Sequence, residues 1–219
     1  MKTIKAINQR ALQLWGQTPP DIRGPRVPLM LSPVPESGII FIGFNPSFAK
    51  RFEGTELEEA LTYSIGKEVD TEKCASLDKK SFEDYPYFKK MKDISRKLNL
   101  HWSSLDLFFI RHPNQKYAAS LVTTGIGFGL TDFGAAQFAL FKAALIISKP
   151  KVVVMVNAQA SHILKSELEL TKDPEFGFYR SSLIDCPFHL GSMLSGQRAM
   201  DIYSVERLEW HIRQSLNRK

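Results

Sequence analysis

A polar amide stands directly after an apolar stretch near position 40. Residues 38–43 are rich in Ile and Phe, which predicts a strand covered on both faces, and Asn45 follows beside Pro46. Gly43 would let a ligand approach the backbone closely, and Pro46 would stiffen the turn that aims the amide. Because ligands of open α/β sheets bind at the carboxyl ends of strands, we expect Asn45 to belong to a site. An ordinary strand-to-loop turn also uses the pair Asn-Pro, and that alternative stays open.

A second group of polar side chains lies near the C-terminus, in residues 187–198. Its imidazole, hydroxyl and guanidinium groups belong to His189, Ser192, Ser195 and Arg198. Small hydroxyls suit phosphate oxygens, and an arginine can add a charge-assisted hydrogen bond to the same anion. Met193 and Leu194 lie between the two serines, where they either insert into a base stack as a wedge or pack into the protein core. We expect this stretch to open at the same sheet edge as Asn45.

These two segments resemble the motifs of the uracil-DNA glycosylase superfamily. Residues 43–47 read Gly-Phe-Asn-Pro-Ser, which is similar to the Gly-x-Asn-Pro-Gly motif that follows the first strand in that superfamily. Residues 189–198 read His-Leu-Gly-Ser-Met-Leu-Ser-Gly-Gln-Arg and resemble its later His-Pro-Ser-x-x-Ser motif. Residues 105–113 and 152–160 resemble two further strand ends of the family, so the resemblance spans residues 36–210.

The resemblance implies a role for each matching residue. Asn45 would orient the water that attacks the sugar C1′, and His189 would hydrogen-bond the departing base. Leu194 would fill the gap left by the flipped nucleotide. One of three aromatic rings would stack on the base, and these rings are Phe44, Phe48 and Phe52. Hydroxyl and guanidinium groups would contact the DNA, and these are Ser47, Ser192, Ser195 and Arg198.

Three departures from the family pattern bear on these roles. Ser47 replaces a glycine. The second motif lacks its proline and is one residue longer, so aligning the serines places Leu190 rather than His189 at the histidine position. Asp106 stands where a related branch reads the base with an asparagine amide; a carboxylate only accepts hydrogen bonds and would repel O4 of uracil. The base would then carry an amino group instead, unless Asp106 is a cap or pairs with a cation such as Arg111.

The composition is that of an ordinary globular protein of 219 residues, with 43% apolar and 24% charged residues. Its net charge of +6 and pI of about 9.3 favour a polyanionic partner such as DNA. Neither a secretion signal nor a membrane-spanning stretch is evident, which predicts a cytoplasmic protein without a membrane partner. Cys74 and Cys186 lack metal-type spacing, so no metal site and no iron–sulfur cluster is expected. No cofactor is expected, because water, Asn45 and His189 would supply the chemistry.

Hydrophobic periodicity predicts alternating helices and strands within one domain, residues 1–219. Helices are expected over 3–15, 86–98 and 133–147, after Asn157 as a cap, and over 202–216 with Asp201 as a cap. Strands are expected over 38–43, 105–110, 151–156 and 182–187.

Three stretches are expected to be irregular. After the first helix, residues 1–37 end in an extended segment that wraps the domain surface, because 18–37 holds six prolines. Residues 54–84 are expected to be a loop with short helical pieces, and 123–134 a glycine-rich loop. The predicted fold class is α/β, a three-layer αβα sandwich with a mainly parallel sheet. The resemblance implies that this sandwich is of the uracil-DNA glycosylase type.

The resemblance predicts a DNA glycosylase-like enzyme that hydrolyses the N-glycosidic bond of a damaged or deaminated base in DNA. Two alternatives stay open. A catalytically silent nucleic-acid-binding module of the same fold is favoured by the three departures. A hydrolase of a small nucleoside or nucleotide would suit the modest positive charge.

Overall fold

A computed structural model of the chain describes residues 2–33, 36, 38–48, 52–125, 129–196 and 199–217. The α-helices in these ranges are α1 (Ile4–Gln17), α2 (Pro20–Arg23), α3 (Glu56–Leu61), α4 (Thr71–Asp84), α5 (Lys89–Leu98), α6 (Gln115–Val122), α7 (Asp132–Ser148), α8 (Ala158–Glu167) and α9 (Ile202–Leu216), and a 3-10 turn, Pro86–Phe88, precedes α5. The strands are β1 (Ile39–Gly43), β2 (Trp102–Asp106), β3 (Val152–Met155), β4 (Thr171–Lys172), β5 (Tyr179–Arg180) and β6 (Phe188–His189). The predicted α/β class is confirmed.

The chain divides into two compact units, each assembled from three separate segments. The helical unit is made of Met1–Pro33, Phe44–Asp84 and Asp106–Ile147, and it contains α1 to α4, α6 and nearly all of α7. The sheet unit is made of Val34–Gly43, Tyr85–Leu105 and Ser148–Lys219. It contains α5, α8, α9 and the strands named above, except for Asp106, the last residue of β2. Neither unit is a continuous stretch of sequence, which is why no boundary is visible in the composition.

The sheet unit is organised around a six-stranded sheet with the order β2-β1-β3-β6-β5-β4. β1, β3 and β6 run parallel, with Val153 between Ile40 and Phe188, whereas β5 and β4 are antiparallel to their neighbours. β1 and β3 bury nearly all of their residues on both faces, which explains their continuous apolar sequences. The prediction of a mainly parallel sheet is confirmed, with an antiparallel hairpin added at one edge.

Two helices of the sheet unit begin at the residues that the sequence predicts as caps. Asn157 Oδ1 accepts a hydrogen bond from Ala160 N at 3.0 Å at the start of α8. Asp201 Oδ1 accepts one from Ser204 N at 2.9 Å at the start of α9. Both caps satisfy backbone N–H groups that the first helical turn leaves unpaired.

The strand predicted over 105–110 is wrong in position. β2 ends at Asp106, and the buried run 107–110 is not part of a strand. Its backbone is bonded by other means, because Phe109 N and Ile110 N both donate to Gln137 Oε1, at 2.7 and 3.0 Å. The apolar pattern therefore reflects burial rather than sheet pairing, since a side-chain oxygen of α7 replaces a neighbouring strand.

The strand predicted over 182–187 is also wrong. That segment is a series of bends, and β6 begins only at Phe188. Pro187 has no N–H to donate, although its carbonyl accepts a hydrogen bond from Val153 N at 3.0 Å. No pattern predicts the hairpin of β4 and β5, because strands of two residues are too short to show periodicity.

The segment 54–84 contains two helices instead of a loop with short helical pieces. α3 has six residues, but α4 has 14. α4 turns small or charged side chains inward, among them Cys74, Ala75 and Asp78. The Asp78 carboxylate pairs with the Arg111 guanidinium at 2.5 Å. A helix that buries an ion pair in place of an apolar stripe has no clear hydrophobic period, so its sequence resembles that of a loop.

The described part of the proline-rich segment 18–37 does not wrap the surface. Pro20 begins the short helix α2, and residues 27 and 29–31 are almost completely buried in the helical unit. Leu29 N donates to Phe109 O at 2.9 Å. The apolar residues between the prolines therefore belong to the core, because their remaining N–H groups find partners inside it.

Two further differences concern residues 115–134. α6 occupies 115–122, where no helix is predicted, and α7 begins at Asp132, which shortens the expected glycine-rich loop. Residues 126–128 of that loop lie outside the described ranges.

α7 has 17 residues. Within the described ranges, no helix is both long enough and apolar enough to cross a lipid bilayer.

Removing the carboxylate of Asp78 should destabilise the helical unit strongly. Asp78→Ala leaves the Arg111 guanidinium buried without its counter-charge, which costs about 3–5 kcal/mol in such pairs. The matched control is Glu36→Ala, because Glu36 pairs with Lys149 where both side chains are more than two-thirds exposed. That pair should contribute less than about 1 kcal/mol. Urea unfolding measures both losses, and equal values would contradict the assignment.

Candidate active site

The loop that follows β1 is held by two backbone hydrogen bonds within the helical unit. Phe44 O accepts from Phe108 N at 3.0 Å, and Pro46 O accepts from His112 N at 3.2 Å. Asn45 lies between these two fixed points. The loop and residues 108–112 therefore form one local structure, although they are more than sixty residues apart in the sequence.

The side-chain amide of Asn45 is fixed in one orientation. Its Nδ2 lies 3.0 Å from Pro46 O, 3.2 Å from Ile110 O and 3.0 Å from His112 O. All three acceptors are carbonyl oxygens, so turning the amide by about 180° would place Oδ1 against them and is unfavourable. The hydrogen bonds therefore direct Oδ1 away from the backbone.

Oδ1 of Asn45 is the atom that this arrangement leaves available. It has no hydrogen-bond partner in the part of the chain that the structure describes, and Asn45 is half-buried rather than enclosed. Donation by the NH₂ group polarises the amide and strengthens its oxygen as an acceptor. A fixed acceptor of this kind can hold a water molecule in one orientation.

His112 brings an imidazole to the same loop; it lies in the stretch 105–113 that resembles a strand end of the family, but the resemblance assigns it no role. Its backbone N–H and C=O bond to Pro46 and Asn45. Its Nδ1 lies 3.1 Å from Asn114 N and 3.0 Å from Asn114 O, and its ring packs on Tyr117 with centroids 4.5 Å apart. Nε2 has no partner among the described residues and is the nitrogen left to a ligand. The signal that could have found it is the pair Arg-His at the end of an apolar run.

Of the three candidate rings, Phe44 is unavailable for base stacking. It is 3% exposed and packs against Phe108 with ring centroids 5.0 Å apart. Phe48 is also buried, since the Arg26 guanidinium covers its ring at 3.8 Å and the Phe52 ring lies 5.9 Å away. Phe52 is half-buried. It is therefore the ring with the most surface left for a base.

An ion pair fixes the turn that follows Phe52. Glu58 accepts hydrogen bonds from Arg26 Nη2 through Oε1 and from Gly54 N through Oε2, both at 2.7 Å. Both bonds lower the pKa of Glu58, and the bond from Gly54 N has the larger effect. Gly54 has a φ of 75°, where a side chain would be strained. The turn after Phe52 is therefore held by Glu58 of α3 and by Arg26, which follows α2.

Asp106 is the last residue of β2 and belongs to the helical unit. It keeps part of its surface exposed, yet the surrounding protein is dense enough that burial raises its pKa to about 7; Arg111 opposes this shift and Asp78 adds to it. The Arg111 guanidinium is bound to Asp78, and to Val27 O at 2.9 Å, instead of pairing with Asp106. Near neutral pH the Asp106 carboxyl is partly protonated, so it can donate as well as accept a hydrogen bond.

His189 is held inside the sheet unit. Its Nε2 lies 2.9 Å from Ser215 Oγ, and that hydroxyl donates to Ile212 O at 2.8 Å, so the proton between imidazole and serine belongs to Nε2. The residue is 6% exposed, and burial, with a contribution from His211, lowers its pKa to about 4. A neutral imidazole that is bonded internally is poorly placed to stabilise a departing base. This arrangement argues against the catalytic role predicted for His189.

The neighbours of His189 differ in their availability to DNA. Leu194 is fully buried, as core packing requires, and is not exposed as a wedge. Ser195 Oγ donates its proton to Tyr87 O at 2.7 Å, so it cannot also donate to a phosphate. Ser192 is half-buried and has no hydrogen-bond partner in the described residues.

The predicted site residues fall into two groups. Those in the helical unit are Phe44, Asn45, Ser47, Phe48, Phe52 and Asp106. Those in the sheet unit are His189, Ser192, Leu194 and Ser195. Ser47 is exposed, and Arg198 lies outside the described residues. His112, which the sequence does not single out, joins the first group.

Neither cysteine is prepared to act as a nucleophile. Burial raises the pKa of Cys74 to about 11 and that of Cys186 to about 12. Among the described residues, no group of three or more His, Cys, Asp or Glu side chains could hold a metal ion. A cavity of about 310 Å³ lies at α3, α4 and the segment between them, and none of the predicted site residues lines it.

Comparison of the chain with models of known protein families and with curated protein sequences found no match. The residues and their geometry therefore carry the functional assignment.

The contribution of His189 to stability should fall between pH 7 and pH 5, because its imidazole is neutral in the folded protein. Asp106, with its pKa raised to about 7, changes stability in the opposite direction and is common to the parent and the variants. Folding lowers the pKa of His189 from 6.5 to about 4, so the unfolded chain binds more protons at this residue as the pH falls. Over this range the loss is about 2 kcal/mol. His189→Gln should remove it, as urea unfolding at both pH values will measure. The exposed control His101→Gln should retain it. An unchanged pH dependence in His189→Gln would show that the assignment is wrong.

Proposed function

We propose that this chain hydrolyses the N-glycosidic bond of a base in DNA and has a three-layer sandwich fold of the uracil-DNA glycosylase type. The observation that carries the proposal is the Asn45 amide, whose NH₂ group is bound by backbone carbonyls and whose Oδ1 is left as an oriented acceptor. Its place directly after β1 agrees with the resemblance in residues 43–47. The net charge of +6 suits a DNA substrate.

Asn45 would act by orienting water rather than by taking its proton. Oδ1 accepts one O–H of the water, which turns a lone pair of the water oxygen toward the sugar C1′. As the C1′–N bond breaks, the base leaves with the bonding electron pair, and the water oxygen bonds to C1′. The added water then releases a proton to solvent, because an amide cannot hold it. Since the amide is oriented before the reaction, no ordering cost falls on the transition state.

His112 would stabilise the departing base in place of His189. Its backbone is bonded to the loop that carries Asn45. When Nε2 is protonated, it can donate a hydrogen bond to a base oxygen as negative charge develops there. This step needs a donor that the fold leaves unengaged, which His112 has and His189 lacks.

Asp106 would read the edge of the base in a way that depends on pH. Its carboxyl has a pKa of about 7, because burial raises it. The protonated form donates to a base carbonyl, and the ionised form accepts from an exocyclic amino group. The argument from the sequence that Asp106 excludes uracil therefore holds only above neutral pH.

The remaining contacts would bind the substrate. Phe52 would stack on the base, since it keeps more exposed surface than the other two candidate rings. The hydroxyl of Ser47, in the helical unit, would contact a phosphate, since it has no partner within the described residues, whereas a contact from Ser192 in the sheet unit stays a prediction. A contact from Arg198 stays a prediction.

A silent nucleic-acid-binding module is the second candidate. The burial of His189 and Leu194 favours it, because the residues that the family resemblance assigns to base release and to the gap in the DNA are both enclosed. Such a protein would bind DNA with strong salt dependence and leave every base in place.

Asn45→Ala should abolish base excision. Oligonucleotides containing uracil, hypoxanthine, xanthine or a mismatch are incubated with the protein, and alkaline cleavage reveals abasic sites. Loss of the positioned water should slow excision at least about 100-fold. The matched control is Asn217→Ala, which removes an exposed amide just after α9. Because Asn45→Ala also loses backbone contacts, thermal unfolding checks that the variant is folded.

Two outcomes would count against the assignment of Asn45. A folded Asn45→Ala protein with the parent rate would overturn it. A parent protein that binds DNA in a salt-dependent way and excises none of these bases would establish the silent module instead.

His112→Gln should slow excision about 100-fold through kcat, with KM little changed, because the hydrogen bond to the base forms as the base departs. His189→Gln, measured at pH 8 where the parent imidazole is neutral, should retain the parent rate. Single-turnover kinetics on duplexes with the excised base provide the comparison. A larger loss of excision rate in His189→Gln than in His112→Gln would assign the stabilisation of the departing base to His189 instead.

A further inference from the structure

α9 presents three large apolar side chains to solvent. Ile202, Tyr203 and Trp210 are 66%, 69% and 56% exposed. Tyr203 and Trp210 are seven residues apart, so they lie on one face of the helix about 10 Å from each other. Ile212 and Ser215 are buried on the other side of the helix. Exposed aromatic rings at this spacing are typical of a binding surface.

Two arginines accompany these rings. Arg207 lies between Tyr203 and Trp210 along the helix, and Arg213 follows Trp210 by one turn; both are exposed. Their guanidinium groups donate to neutral oxygens, those of Ser204 and the Lys97 backbone, at 3.1 and 3.5 Å. Neither forms an ion pair with a carboxylate in the described residues. Their charge is therefore available to an anion.

α5 adds further positive charge, because it lies beside α9. Lys97 Nζ bonds Glu209 at 2.8 and 2.9 Å, and Lys90 Nζ lies 3.5 Å from Met200 O. Residues 89–98 and 202–216 contain seven Lys or Arg and three Asp or Glu. These two helices thus hold an excess of four positive charges, out of six for the whole chain. Two of the three carboxylates are already paired with lysine or arginine, as Lys97–Glu209 and Arg96–Asp93, and the third, Glu206, is exposed between Tyr203 and Trp210.

We infer that the face of α9 formed by Tyr203, Arg207, Trp210 and Arg213, together with the basic residues of α5, binds single-stranded nucleic acid. The two rings stack on bases, and the arginines and lysines follow the phosphates. The negative charge of phosphate groups complements the positive charge of this face. A duplex hides the faces of its bases within the stack, so rings can stack on bases only where the strand is single.

A second copy of the chain is a poorer occupant of this face. In a symmetric dimer the same patch meets itself, which would bring two positive surfaces together. Such a contact costs free energy unless counter-ions intervene. A polyanion removes that cost and releases its own counter-ions.

This binding does not depend on the proposed hydrolysis, and one experiment separates the two. The full chain is titrated into a fluorescein-labelled oligothymidylate, and anisotropy is recorded at several salt concentrations. Tyr203→Ala and Trp210→Ala should each weaken binding about tenfold, which is within the range for the loss of one stacked base. Arg207→Ala should lower the slope of log K against log salt by about one. Oligothymidylate carries none of the bases offered in the excision assay, so this titration measures binding whether or not the chain excises a base.

The matched control is Leu183→Ala, which removes another exposed apolar side chain, 53% exposed, from the sheet unit. It should leave affinity unchanged. Parent affinity in both aromatic variants, or an equal loss in Leu183→Ala, would overturn the inference. Sedimentation that shows a dimer in the parent and a monomer in Trp210→Ala would also overturn it, because the face would then be an interface between copies.

Discussion

Arg111 and Asp78 form an ion pair in the helical unit in which both side chains are at most 4% exposed. The guanidinium also donates to Val27 O, so α4, the proline-rich segment and the run after β2 are joined at one point. The two carbonyls that flank Arg111 in the chain are among those that bind the Asn45 amide. Because a buried charge cannot lose its partner without a large cost, this pair fixes the backbone that orients Asn45.

The same pair explains the character of Asp106. An isolated arginine beside a carboxylate would hold it ionised, but Asp78 already neutralises the Arg111 charge. The two partners act on Asp106 in opposite directions, and burial then raises its pKa to about 7. Burial beside this ion pair therefore leaves the Asp106 carboxyl about half protonated at neutral pH.

The two segments that resemble family motifs differ in which polar atoms the fold leaves without an internal hydrogen-bond partner. In the first, hydrogen bonds use the donors of Asn45 and leave its oxygen. In the second, His189 bonds Ser215, Ser195 bonds a backbone carbonyl, and Leu194 is buried. Residue types suited to chemistry therefore keep an unpaired polar atom in one place and support packing in the other, because a polar atom can serve a ligand only if no internal partner has taken it.

The sequence by itself determined the α/β class, the buried strands β1 and β3, the Asn157 cap and the place of Asn45 after β1. Each of these follows from neighbours within a few residues, through periodicity, capping or turn geometry. Only the tertiary structure decided that Phe109 and Ile110 bond to a glutamine rather than a strand, that Arg111 pairs with α4, and that His189 is enclosed. Those outcomes depend on partners 26 to 33 positions away, and no local pattern records which distant group will satisfy a buried polar atom.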